Sequence, residues 1–296
     1  MISKTAMITI CGRPNVGKST LTNALAGEKI AIVSNKPQTT RNRITAVCQR
    51  GETQFVFLDT PGFHKPRTRL GDYMVNVVRQ SVADVDAVVL VVEPVASLGP
   101  QERELIASIK AANCPAVLAI NKLDTVEPEK LLAVIALYSE AYAFNAIVPI
   151  SAKTGDGVEE LLKELDKFAV ESPALFPEGV TTDQPEKQVC AELIREKLLL
   201  NLEREVPHGT AVEITRFSER DDGIIDLEAT IYCEKASHKG IIIGKHGAML
   251  KKIGEDARKD IEEFMDTKVF LQTWVKVKEK WRDSNSLLRN FGYTDT

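Results

Sequence analysis

One run of eight residues constrains this chain more than any other. GRPNVGKS, Gly12–Ser19, follows directly on the apolar segment MITIC and leads directly into an amphipathic segment. GxxxxGK[ST] set between a strand and a helix is a phosphate-binding loop. Its glycines let backbone N–H groups turn inward, and the helix N-terminus behind them adds partial positive charge. Gly12, Asn15, Val16, Gly17 and Thr20 are the expected phosphate contacts, Lys18 reaches the β- and γ-phosphates, and the Ser19 hydroxyl ligates Mg²⁺.

The loop alone does not choose the base. NKLD, Asn121–Asp124, follows the apolar run AVLAI and supplies a carboxylate able to accept two hydrogen bonds from guanine N1 and its exocyclic amine, a donor pair adenine lacks. Asn121 is expected to brace the loops, the Lys122 stem to cover one face of the base, and Asp124 to read its edge. ISAKTG follows another apolar run, so Ser151, Ala152 and Lys153 join the guanine set, with the Ala152 N–H aimed at O6. DTPG, Asp59–Gly62, follows FVFL; it places Asp59 to hold Mg²⁺ through water and the Gly62 N–H to meet the γ-phosphate. In the polar loop NKPQTTRNR, Thr40 is the expected second hydroxyl on Mg²⁺.

Around these motifs, to about residue 170, short apolar runs alternate with amphipathic segments. This is the pattern of an α/β domain with a mixed, mainly parallel sheet flanked by helices. ESPALFPEGVTTDQP, with three prolines and little periodicity, reads as an interdomain linker. The expected division is a GTPase domain over 1–170, a linker over 171–185 and a second domain over 186–296. The second domain follows the order αββααβ, an α+β plan.

GRPNVGKS, TTRN, DTPG, NKLD and SAK stand in the order and spacing of the translation-factor-related GTPases, which the first 170 residues resemble. GRPNVGKS, QTTR and DTPGF together resemble the Era-type GTPases in particular. In the second domain, Gly244-Lys245-His246-Gly247 lies between two helical segments and matches the GxxG loop of a type II KH domain. Gly240, Ile243, Gly244, Lys245, His246, Gly247, Lys251 and Lys252 are the candidate RNA contacts, with Ile241–Ile243, Met249 and Leu250 as apolar floor. Lys235, Lys239, Lys245, Lys251, Lys252, Arg258 and Lys259 face only Glu255 and Asp256 in that stretch, although a solvated helix face reads the same way. A G domain of this spelling joined to a KH domain covers the whole chain. The resemblance implies an rRNA-binding GTPase acting near the 3′ end of 16S rRNA in 30S subunit maturation.

The formal net charge of −4 excludes coating of nucleic acid by bulk positive potential, so any contact with it is local. Five dispersed cysteines with no CxxC pair indicate neither a zinc knuckle nor a disulfide framework, and fit a reducing cytoplasm. No apolar run is long enough to span a bilayer; peripheral attachment at the inner face of the cell membrane stays open. Two other functions share these features: a GTPase-gated RNA-modification factor, which needs a further catalytic site not visible here, and a nucleotide-regulated protein scaffold.

Hydrolysis is where the sequence departs from the Ras-type pattern. Phe63 stands where such switches carry a water-orienting glutamine, so the expected intrinsic rate is low. Arg41 and Arg43 are candidate in-cis fingers that could equally contact RNA or solvent. Related GTPases with an Asn at the position of Asn15 use it to help ligate K⁺ beside the phosphates; a loop-capping role is the other reading.

Overall fold

The computed structural model describes residues 2–83 and 85–293. They fall into two compact units: the chain as far as Ala31 with Thr40–Pro66 and Gly71–Asp183, and Ile32–Thr39 with Arg67–Leu70 and everything from Gln184.

The first unit runs β1 (Lys4–Cys11), α1 (Lys18–Ala26), β2 (Ile44–Arg50), β3 (Thr53–Asp59), α2 (Arg69–Ala83, whose first two residues count with the other unit), β4 (Ala87–Val92), α3 (Pro100–Ala112), β5 (Ala116–Ile120), α4 (Pro128–Ala141), β6 (Ala146–Pro149), α5 (Val158–Asp166) and the two-residue β7 (Val170–Glu171). The sheet order is β2-β3-β1-β4-β5-β6; β1 pairs parallel with β3 and β4, β4 with β5 and β5 with β6, while β2 and β7 pair antiparallel. Strands such as β4, AVVLVV, are buried along their whole length because both faces of the sheet pack on apolar clusters. Gly27 closes α1 in the left-handed region (φ 79°), its N–H on Asn23 O.

The stretch expected to be a linker is bonded into this unit. Val47 N–H donates to Thr181 O (2.7 Å), Thr182 Oγ1 to Thr45 O (2.7 Å), and Gln54 exchanges side-chain hydrogen bonds with the backbone of Leu175 and Phe176. β2 is an edge strand, and this segment satisfies backbone groups the edge would otherwise leave open.

The second unit contains α6 (Glu186–Asn201), β8 (Ala211–Glu219), β9 (Ile225–Cys233), α7 (Ala236–Ile243), α8 (Ala248–Met265), β10 (Val269–Val277) and a short α9 (Asn285–Asn290). β9 lies between β10, parallel to it, and β8, antiparallel. The expected αββααβ order is present, with α9 added. Trp281, fully buried, donates from Nε1 to Gly209 O at 2.9 Å. Residues 32–39 are part of this unit: Ile32 joins its core, Val33 N–H donates to Glu196 Oε1 at 2.8 Å, and Lys36 Nζ donates to Leu199 O and Leu202 O at the end of α6. Arg195, 1% exposed, donates to Gln38 O (3.3 Å) and Thr39 O and pairs with Glu192.

Candidate functional site

The loop between β1 and α1 is shaped by two glycines that nothing larger could replace. A Cβ at Gly12 (φ 155°) would lie 2.4 Å from Val91 O, and one at Gly17 (φ 95°) 2.2 Å from Asn121 Nδ2. Asn15, also left-handed (φ 66°), is exposed at the loop tip, and Val16 is buried beneath it. Lys18, 6% exposed, donates from Nζ to Gly12 O (3.2 Å) and Arg13 O (2.9 Å), so the ammonium spans the mouth of the loop. Burial lowers its pKa, with Asp59 opposing the shift. A Cβ on Gly62 would meet the Pro14 backbone at 2.8 Å, so DTPG lies directly against the phosphate loop.

Ser19 Oγ shares a hydrogen bond with Thr40 Oγ1 (2.7 Å) and donates to Asp59 Oδ2 (2.9 Å). Asp59 is fully buried; its Oδ1 has no hydrogen-bond partner among the described residues, and burial, opposed by Lys18, raises its pKa to about 6. Two hydroxyls and a buried, partly unsatisfied carboxylate fit a hard divalent cation such as Mg²⁺. Bound there, such an ion would neutralise charge on the β- and γ-phosphate oxygens of a nucleotide.

Asn121 links three segments. Its N–H donates to Val92 O (2.8 Å), its Nδ2 to Val16 O (2.8 Å), and its Oδ1 accepts the Ala152 N–H (2.9 Å). The Ala152 N–H, expected at guanine O6, thus lies beside the bracing asparagine. Ser151 Oγ donates to Asp124 Oδ1 (2.7 Å), which orients the carboxylate; Lys153 is exposed, and Thr20 is half-buried on α1.

Phe63 is 3% exposed and packed with Cys11, Val75 and Val78, so it belongs to the core. Arg41 is 1% exposed, which removes the solvent-contact reading, while Arg43 is exposed. The sequence reading passed over His64, whose Nδ1 lies 2.9 Å from Gly62 O and whose buried Nε2 has no partner among the described residues. It also passed over Glu93 and Glu102, which belong to no motif.

In the second unit the turn from α7 to α8 puts Gly244 (φ 72°), His246 (φ 53°) and Gly247 (φ 80°) in the left-handed half of backbone space; a Cβ on Gly244 would lie 2.7 Å from Met249 Cβ. Lys245, His246, Lys251 and Lys252 are exposed around it, as is Gly240 on α7. A groove of about 410 Å³ runs from Gly247 along α8 and β10, lined by Leu250, Lys251, Gly254, Glu255, Arg258, Leu271 and Thr273. The floor is thus Leu250 and Leu271. Ile242 is in the core, Ile243 packs against it, and Ile241 is half exposed, because α7 turns its apolar face to the sheet. Of this lining, Gly254, Leu271 and Thr273 went unread, because only folding sets β10 beside α8.

Residues 7–122 match a family described as 50S ribosome-binding GTPase, and residues 205–282 match the KH domain. GTPase Era of Ruminiclostridium cellulolyticum is 53% identical over 99% of this chain and 98% of its own length; that of Clostridium kluyveri is 50% identical over 98% and 99%. The chain belongs to the GTPase Era family. Among solved Era structures, a point variant of Aquifex aeolicus Era bound to GDP·AlF4⁻ superposes with a TM-score of 0.95 at 36% identity, covering 99% of this chain and 100% of that one. Era in complex with MgGDPNP and nucleotides 1506–1542 of 16S ribosomal RNA matches with the same values. This member of the Era family is therefore a GTPase whose P-loop domain is followed by a KH domain. Among the described residues no helix is long and apolar enough to cross a membrane, and no group of three or more His, Cys, Asp or Glu is placed to hold a metal.

Proposed function

We propose that this protein is a cytoplasmic GTP-driven switch that binds the 3′ region of 16S rRNA through its KH groove and acts in 30S subunit maturation. The observation that carries the reading is the exposed GxxG turn opening onto a groove with an apolar floor and a basic rim, in a chain that superposes throughout on an Era bound to that RNA. Backbone N–H groups and Lys245 and Lys251 meet the sugar-phosphate chain, and unstacked bases lie on Leu250 and Leu271.

In the first unit, Lys18 and the loop N–H groups take the phosphates, Ser19, Thr40 and Asp59 the Mg²⁺, and Asp124 the guanine edge. Asn15, exposed at the tip of the phosphate loop, would help to hold a K⁺ ion, which would supply positive charge against the charge developing between the β- and γ-phosphates. Residues 32–39, held by Arg195 and Glu196, run directly into Thr40, which supports control of the second unit by the nucleotide.

Sequencing of RNA crosslinked to the GTP-bound protein in cells tests the reading. Enrichment at the 3′ end of 16S rRNA is expected; crosslinks scattered over tRNA or absent altogether would favour the modification-factor or scaffold function.

A further inference from the structure

Glu93 lies just beyond β4, next to Val92, whose carbonyl holds the Asn121 N–H. It sits in no nucleotide-binding motif, yet its carboxylate touches two of them. Oε1 is 2.5 Å from Lys122 Nζ in NKLD, and Oε2 is 3.5 Å from Arg13 Nη2 in the phosphate loop. Arg13 is held in turn: its Nε meets the carboxylate of Glu102 on α3, whose side chain is only 2% exposed. Glu102 packs against the start of α3, where a Cβ on Gly99 would lie 2.7 Å from its Oε2. The chain Glu102–Arg13–Glu93–Lys122 alternates in charge and lies wholly within the first unit.

We propose that Glu93 is a positioning residue for guanine nucleotide binding: it holds the Lys122 stem as a preformed wall of the base slot and ties that wall to the phosphate loop through Arg13. The inference rests on the nucleotide site proposed above. Lysine is a long, flexible side chain, so a stem free to sample its rotamers must be ordered at the moment the base arrives. Lys122 leaves a left-handed backbone position (φ 67°), and the carboxylate it meets is fixed from the other side by a guanidinium anchored on a buried acid. The ordering is then complete before the nucleotide binds.

Glu93→Gln keeps the shape and removes the charge. Release of a fluorescent, ribose-labelled GDP should quicken by about three- to tenfold. KM for GTP should rise by the same factor with kcat unchanged, the mark of an interaction shared by ground and transition states. The thermal midpoint of the nucleotide-free protein should stay where it is, which a merely structural role would not leave untouched. In a Lys122→Met background, where the stem remains but the ammonium is gone, Glu93→Gln should have no further effect on release. Unchanged GDP release in Glu93→Gln, or effects that add in the double variant, would overturn the proposal. Asp124→Asn, run in parallel, separates the two layers: if it leaves the preference for guanine over xanthine intact, the base slot itself is misplaced and Glu93 falls with it.

Discussion

Lys18 and Asp59 are both buried, and each opposes the shift that burial imposes on the other. Such a pair is costly to desolvate and persists where a ligand of high charge uses both. Lys18→Ala should therefore weaken binding of triphosphates with any base, whereas Asp124→Asn should move preference from guanine towards xanthine, because an amide offers a donor where xanthine has a carbonyl. Titration with GTP and XTP separates the two, and equal losses for both bases in Asp124→Asn would contradict the assignment. Hydrolysis also turns on single residues. Phe63 was legible as a residue without a water-orienting group, but its place in the core shows why it cannot swing in to help. GTP turnover should be faster in K⁺ than in Na⁺ at equal ionic strength, and Asn15→Ala should abolish the difference. Identical turnover in both salts would refute the K⁺ ligand and turn attention to His64.

Elements were legible where a single segment carried its own signal. α1 appears directly after the phosphate loop, the α7–turn–α8 unit appears around the GxxG glycines, and the second unit follows the αββααβ order. What was not legible depends on partners distant in sequence. Nothing local in ESPALFPEGVTTDQP says that β2 is an edge strand in need of hydrogen bonds, and nothing in Leu271 or Thr273 says that α8 will lie across from them. The GxxG turn tests the element reading of the RNA site. Replacing Lys245 and His246 with Asp should put two carboxylates against the RNA backbone and lower RNA affinity by at least tenfold, about 1.4 kcal/mol, while leaving GTP affinity unchanged. Filter binding with a 16S 3′-end oligonucleotide reads the first and nucleotide titration the second; RNA affinity that survives would make the turn purely structural.

For the molecule as a whole, the feature hidden from the sequence is that residues 32–39 lie inside the phosphate-loop domain by order along the chain but in the second unit by packing. Arg195 and Glu196 hold that segment by backbone groups that any residue supplies, and the side chains that add to the attachment, Ile32 and Lys36, meet partners about 160 residues further along the chain. The next residue is Thr40, bonded to Ser19. A triphosphate with Mg²⁺ that draws on Thr40 acts on one end of a segment whose other residues are built into the RNA-binding unit, and linkage makes any such effect reciprocal. RNA affinity should accordingly differ between a GTP analogue and GDP by a coupling of about 1–3 kcal/mol, and the RNA should tighten the favoured nucleotide by the same factor. Arg195→Met keeps the buried stem but releases the carbonyls of Gln38 and Thr39, so the ratio of RNA affinities should shrink towards one even if both affinities persist. Calorimetric titration of RNA into each nucleotide form, for wild type and variant, measures all four values. A wild-type ratio of one would remove the switch from the proposed function, and an undiminished ratio in Arg195→Met would show that coupling bypasses this segment.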